Sequence, residues 1–163
     1  MSELMKSPAP PRLGHVHLKV RDLARSVEFY TSLLDLRVTE QVGDFAFLTF
    51  GEAHHDLALQ ALGEDAPAAR EHAVGLYHVA FEVADARALL SRYDHLLRMN
   101  VPFVAVDHGI SWALYLSDPD GNGVEIYLDT RQSHAGADEW HGRSRALERE
   151  DIERLIDKVI ATH

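Results

Sequence analysis

The sequence predicts an α+β protein of two βαβββ modules, with a helix added after them. Three observations predict this: short segments with period-two apolar alternation, two capped helical stripes, and one element order that occurs twice along the chain. The first strand is expected over Leu13–Val20, where Val16, Leu18 and Val20 alternate with His15, His17 and Lys19. Successive strand side chains point to opposite faces, so this segment has one apolar and one polar face. Asp22 then stands where a helix N-cap belongs, and Leu23, Val27, Tyr30, Leu33 and Leu34 follow at helical spacing. Leu36–Val42, Asp44–Phe50 and Asp56–Leu62 are short and mostly apolar, and predict three further strands. The acidic, alanine-rich stretch Gly63–Ala73 reads as a linker.

The pattern then begins again. Leu76–Val83 predicts a strand, and Asp85 caps a helix whose stripe is Leu89, Leu90, Tyr93, Leu96 and Leu97. Strands follow at Val101–Asp107, Ser111–Ser117 and Val124–Leu128, with the turn residues Asp118-Pro119-Asp120-Gly121-Asn122-Gly123 between the last two. Residues 1–11, with Pro8, Pro10 and Pro11, read as a flexible arm, 12–62 as module one, 75–131 as module two, and 132–163 as an extension. Within that extension a helix is expected over Arg145–Ala161, its stripe formed by Leu147, Ile152, Leu155, Ile156, Val159 and Ile160. Its acidic polar face favours docking on its own domain or on a second subunit over a membrane surface.

Composition narrows the function classes. With 16 Lys+Arg against 26 Asp+Glu, the 163-residue chain carries a formal charge of −10, which disfavours nucleic-acid and anionic-membrane partners. No apolar run reaches the roughly 18 residues of a membrane span, and no signal-peptide core precedes the first prolines, so a cytoplasmic protein is expected. The chain has no cysteine and eleven histidines, so any transition-metal site has to be built from imidazole and carboxylate.

The repeat supplies such a set. His15 and His78 occupy matching places in the first strand of each half, and Gln60 is matched with Glu125 in the last. If the halves face each other across a pseudo-twofold axis, His15, His78 and Glu125 converge, with Gln60 near a fourth position. Two imidazoles and one carboxylate with open positions are the arrangement of a mononuclear non-haem Fe(II) site; Mn(II) or another divalent ion is the alternative. One carboxylate leaves the ion with net positive charge, suited to an anionic chelating substrate. His17 lies on the same strand face as His15 and competes with it. Gln60 is read as ligand or polar wall, His54 and His55 as surface or cavity residues, and Phe45, Phe47, Phe103 and Trp112 as walls or core. His72, His95, His134, His141 and His163 have no spacing argument and are read as solvated.

Four stretches carry a resemblance. They are Leu-Gly-His-Val-His-Leu-Lys-Val-Arg-Asp-Leu (13–23), Ser-Val-Glu-Phe-Tyr (26–30), Gly-Leu-Tyr-His-Val-Ala-Phe-Glu-Val (75–83) and Tyr-Leu-Ser-Asp-Pro-Asp-Gly-Asn-Gly-Val-Glu-Ile-Tyr (115–127). Through them the chain resembles the vicinal oxygen chelate superfamily from about Arg12 to Arg131, and within it the single-domain extradiol catechol dioxygenases. The resemblance implies His15, His78 and Glu125 as metal ligands, Tyr115 as an active-site tyrosine and His108 as the pocket acid–base group. It implies that the two modules pair as a cupped mixed sheet around the metal site, and that the chemistry is Fe(II)-dependent extradiol cleavage of a catechol-like aromatic by O2. The alternatives on this fold are a metal-dependent glyoxalase-type isomerase or lyase, and a non-catalytic antibiotic-binding protein. The partners implied are a small aromatic substrate and O2; a homo-oligomer, with modules paired within one chain or swapped between two, is left open.

Overall fold

A computed structural model describes residues 10–68, 74–133 and 136–161 of the chain. The first module runs β1 (Val16–Val20), α1 (Leu23–Leu34), β2 (Arg37–Val42), β3 (Phe45–Thr49) and β4 (Leu57–Ala61). The second runs β5 (Val79–Glu82), α2 (Ala86–Arg98), β6 (Phe103–Asp107), β7 (Ser111–Ser117) and β8 (Gly123–Asp129). A two-residue strand β9 (Arg145–Ala146) and helix α3 (Arg149–Ala161) follow. Both expected helix caps are present: Asp22 accepts from Arg25 N, and Asp85 from Ala88 N, each at 2.8 Å. Most of the N-terminal arm and the end of the linker lie outside the described residues, as do His72, His134 and His163.

The predicted repeat extends to strand pairing. In the first sheet the order is β1-β4-β3-β2, and in the second β5-β8-β7-β6-β9. In each, the first strand runs parallel to the last strand of its module and the other pairs are antiparallel. The modules thus form two mixed sheets, of four and five strands. Strand ends are shorter than the apolar alternation predicts: residues 13–15 and 76–78 precede β1 and β5 without ladder bonds of their own. The helix predicted from Arg145 begins instead at Arg149, because Arg145 and Ala146 pair with Asp107 and Val106 on β6 and give the second sheet a fifth strand.

One core serves both modules. Leu18, Val20, Leu48, Leu57 and Leu59 of the first sheet and Leu114, Leu116, Val124 and Ile126 of the second bury one face of each against Phe29, Tyr30, Leu33, Leu89 and Leu96 of α1 and α2. The last helix packs on α2 through buried Ile152 and Leu155, clamped by Arg149 on Asp94 at 2.9 Å, while Val159 and Ile160 remain exposed. Polar bonds tie the modules together. Tyr30 donates to Asp118 Oδ2 at 3.0 Å, Arg21 N and Arg25 reach Asp120, and Asn122 donates to Lys19 O. Every one of these acceptors or donors on the second module sits in the Asp118–Asn122 turn, so the turn between β7 and β8 is a clasp between the halves, beside the tie of Arg92 on α2 to Leu33 O and Asp35.

Candidate functional site

The faces turned away from the helices carry the chemistry. On the second sheet β5 and β8 are parallel neighbours with Ala80 opposite Glu125, so His78, just before β5, lies one pleat from Glu125. Their side chains meet: His78 Nε2 is 2.8 Å from Glu125 Oε2, with Glu125 buried. That approach depends on Gly123, where an added Cβ would come within 2.2 Å of Tyr77 O and 3.1 Å of His78 Cβ. From the neighbouring β7, Tyr115 lies opposite Glu125 and donates its hydroxyl to Oε1 at 2.9 Å. His108, just beyond β6, places Nε2 3.0 Å from the Tyr115 oxygen. Burial, then the hydrogen bond and charge of Glu125, raise the Tyr115 pKa well above the ordinary phenol range. Tyr115 therefore remains a neutral donor throughout the physiological range.

Four of the five expected residues are thus joined: His108, Tyr115, Glu125 and His78 form one hydrogen-bonded chain. The fifth, His15, is on the first sheet. It is exposed and its ring is 4.4 Å from that of His55, whose Nδ1 lies 3.0 Å from Nδ1 of His54. His54 is also 3.5 Å from Glu40, and burial, with the neighbouring His15 and His54, lowers the His55 pKa. Phe45 and Phe47 share this open face and touch His17, and His54 and His55, respectively. Trp112 is instead buried in the core, and Phe103 packs on Tyr93.

The strand register corrects the pairing of Gln60 with Glu125. Val16 lies opposite Leu57 as Val79 lies opposite Val124, so the first-module counterpart of Glu125 is Ala58. Gln60 takes the place of Tyr127, one pleat further along. A methyl group, with no donor atom, occupies the position where a second carboxylate would stand.

The donor set fits a divalent ion in part. Ligands about 2.1 Å from an ion stand about 3 Å apart; His78 Nε2 and Glu125 Oε2 meet that requirement. His15 does not join them in this chain, and among the described residues no three His, Cys, Asp or Glu side chains are gathered in a cluster suited to a metal. A crevice of about 580 Å³ is lined by His17, Lys19, Leu76, Asp120 and Asn122 among others, and neither His78 nor Glu125 lines it.

Two residues at this site carry no sequence signal of their own. Ser144 Oγ is 2.7 Å from His108 Nδ1, and Trp140 sets its ring edge-on to His108 at 6.1 Å. Trp140 is the one large apolar residue in a polar stretch, which marks it only as unusual.

Comparison with known proteins agrees with the fold. Residues 12–126 match the Glyoxalase/Bleomycin resistance protein/Dioxygenase superfamily. The chain is 36% identical over 126 residues to a biphenyl-2,3-diol 1,2-dioxygenase of Rhodococcus globerulus, covering 74% of this chain and 64% of that protein. It is 31% identical over 147 residues to a catechol-2,3-dioxygenase of Bacillus subtilis, covering 90% of this chain and 52% of that one. The chain therefore spans between about half and two thirds of the length of these relatives. The crystal structure of a glyoxylase/bleomycin resistance protein/dioxygenase domain from Frankia sp. EAN1pec superposes with a TM-score of 0.64 at 26% identity, covering 74% of this chain and 99% of that one. With its duplicated strand pairing and its match over most of both modules, the chain belongs to the glyoxalase/bleomycin resistance protein/dioxygenase superfamily.

Proposed function

We propose that this chain is an Fe(II)-dependent dioxygenase that opens the ring of a catechol-like aromatic beside its diol. The observation that carries the reading is the hydrogen-bonded chain His108–Tyr115–Glu125–His78, which sets an acid–base group and a phenol directly beside a carboxylate–imidazole pair. His78 and Glu125 would hold the ion; His15, which does not meet them within one chain, would have to be brought to the pair to serve as the third donor, and Mn(II) or another divalent ion is compatible with the same donors. When bound, the ion supplies Lewis acidity and adjacent positions for diol and dioxygen. His108, with Nε2 3.0 Å from the Tyr115 oxygen, is the acid–base group of the site. Tyr115 holds its proton and donates it to Glu125 Oε1, fixing the carboxylate beside the reacting centre. The relatives named above as biphenyl-2,3-diol and catechol dioxygenases support the substrate class. Ala58 in the register place of Glu125 weighs against a glyoxalase-type isomerase, whose enediolate chemistry calls for a second carboxylate base.

The test is oxygen uptake by anaerobically Fe(II)-loaded protein given a panel of catechols, followed by absorbance. Uptake with a yellow ring-fission product, lost in Glu125→Ala, is the expected result. An iron-containing preparation that consumes no oxygen with any catechol overturns the reading.

A further inference from the structure

The family match ends at residue 126, yet the chain of side chains at the site continues beyond it. We propose that Ser144, from the C-terminal extension, is a positioning residue that fixes the tautomer and ring orientation of His108. The inference rests on the role given to His108 under the proposed function, and its structural part can be tested without that function.

The hydrogen-bond inventory leaves one consistent assignment. A tyrosine hydroxyl has a single proton, and that of Tyr115 goes to Glu125 Oε1 at 2.9 Å. The Tyr115 oxygen therefore accepts from His108, which puts a proton on Nε2, 3.0 Å away. In a neutral imidazole the other nitrogen then carries a lone pair. Ser144 Oγ, 2.7 Å from Nδ1, donates to it. The ring is held at both nitrogens, and a turn about its χ2 axis would break both bonds at once.

The fold delivers Ser144 to this place. It immediately precedes β9, whose Arg145 lies opposite Asp107 and also forms a salt bridge with that buried carboxylate at 2.7 Å. Asp107 is the residue before His108, so one anchor places both partners of the Ser144–His108 bond. On the other side Trp140 stands edge-on to the imidazole, its own indole N–H fixed on Arg143 O at 3.0 Å. The opposite flank is fixed as well: His108 N donates to Ser111 O, and Gly109 N to Asp107 Oδ1.

The experiment is a two-bond ¹⁵N–¹H spectrum of the histidine rings in metal-free protein, recorded above the usual imidazole titration range at about pH 8.5. Wild type, Ser144→Ala and Ser144→Thr are compared after circular dichroism and thermal melting show all three folded alike. In wild type the His108 Nδ1 resonance is expected at the position of a hydrogen-bonded acceptor. In S144A it moves to that of a bare lone pair, and S144T, which restores a hydroxyl, returns it. An Nδ1 resonance unchanged in S144A overturns the proposal, as does a shift that S144T fails to reverse. Under turnover with a catechol, S144A is expected to lower kcat about tenfold with little change in KM, and S144T to recover most of it. Equal kcat in wild type and S144A also overturns it. Absence of any ring cleavage in the wild type, with the spectral change intact, would remove the proposed reaction and leave the positioning of His108 standing.

Discussion

Replacing Tyr30 by phenylalanine removes one oxygen from the clasp between the modules, and the structure sets the size of the effect. Tyr30 is fully buried, and its hydroxyl donates to Asp118 Oδ2 at 3.0 Å. The rest of the Asp118 carboxylate is occupied: Oδ1 accepts from Asp120 N at 2.9 Å and Asn122 N at 2.8 Å, and Oδ2 from Asn122 Nδ2 at 2.9 Å. Tyr30→Phe leaves Oδ2 with one donor in a site closed to water. A hydrogen bond to a charged group contributes roughly 1.5–3 kcal/mol, so a loss of about 2 kcal/mol is expected. For a chain of this size that is about 4–8 °C in Tm. Urea unfolding should show a lower midpoint at unchanged m. Asp118→Ala should cost more, about 3 kcal/mol, because it strands the Tyr30 hydroxyl and two backbone donors, and the double mutant should reveal a coupling of about 1–2 kcal/mol. The alkaline limb gives a second reading. Burial, then the charge of Asp118, raises the Tyr30 pKa above that of an unfolded tyrosine, near 10. Stability from this group is therefore complete below about pH 10 and falls as pH rises beyond it. Y30F should lack that part of the decline. A destabilisation below about 0.5 kcal/mol, or an identical alkaline slope in both proteins, would refute the clasp as a source of stability.

Glu125→Ala and His78→Ala are each expected to weaken divalent-metal binding at least about 100-fold by calorimetric titration. His15→Ala should do the same if it supplies the third donor, whereas wild-type affinity in H15A would exclude it. Gly123→Ala forces a Cβ against Tyr77 O; a loss of about 1–3 kcal/mol by urea unfolding is expected. A fall in metal affinity should accompany it, since His78 is displaced with Tyr77. Arg149 holds the Asp94 carboxyl below its ordinary range by a hydrogen bond. This depressed pKa means that the stabilisation is present above about pH 4 and is lost as pH falls through the folded-state value. Both partners are about a third exposed, so Arg149→Ala should cost at most about 1 kcal/mol near neutrality, and its difference from wild type should vanish in acid melts.

Much of the architecture was legible because it rests on local periodicity. His15, Val16, His17 and Leu18 announce a two-faced strand, and Asp22 and Asp85 announce helix starts through bonds that close within three residues. The pairing of His78 with Glu125 followed from the repeat. What stayed hidden depends on register or on distant partners. Ala58 replaces Gln60 as the counterpart of Glu125 because strand register is set by backbone pairing, which composition does not encode. The contact of His15 with His55 and of His108 with Ser144 joins residues from loops whose course depends on the whole fold. Two-residue β9 is too short to display any period, and its Arg145 read equally well as the opening of a helix.

The outermost strands of the two sheets end differently. β2 is exposed along its whole length and is guarded only by its own irregularity, a register shift between Val38 and Glu40, and by the charges of Arg37 and Glu40. β6 has no bulge in its pairing, and its free rail is taken up by residues 145–147, with Leu147 N donating to Ala105 O. The tail that places Ser144 is therefore also a plug. Until it docks, the second module offers an unkinked hydrogen-bonding rail to any other chain, including an unfinished copy of itself. Loss of the tail would thus be felt first as a tendency to aggregate during folding, before any change in the chemistry of the site.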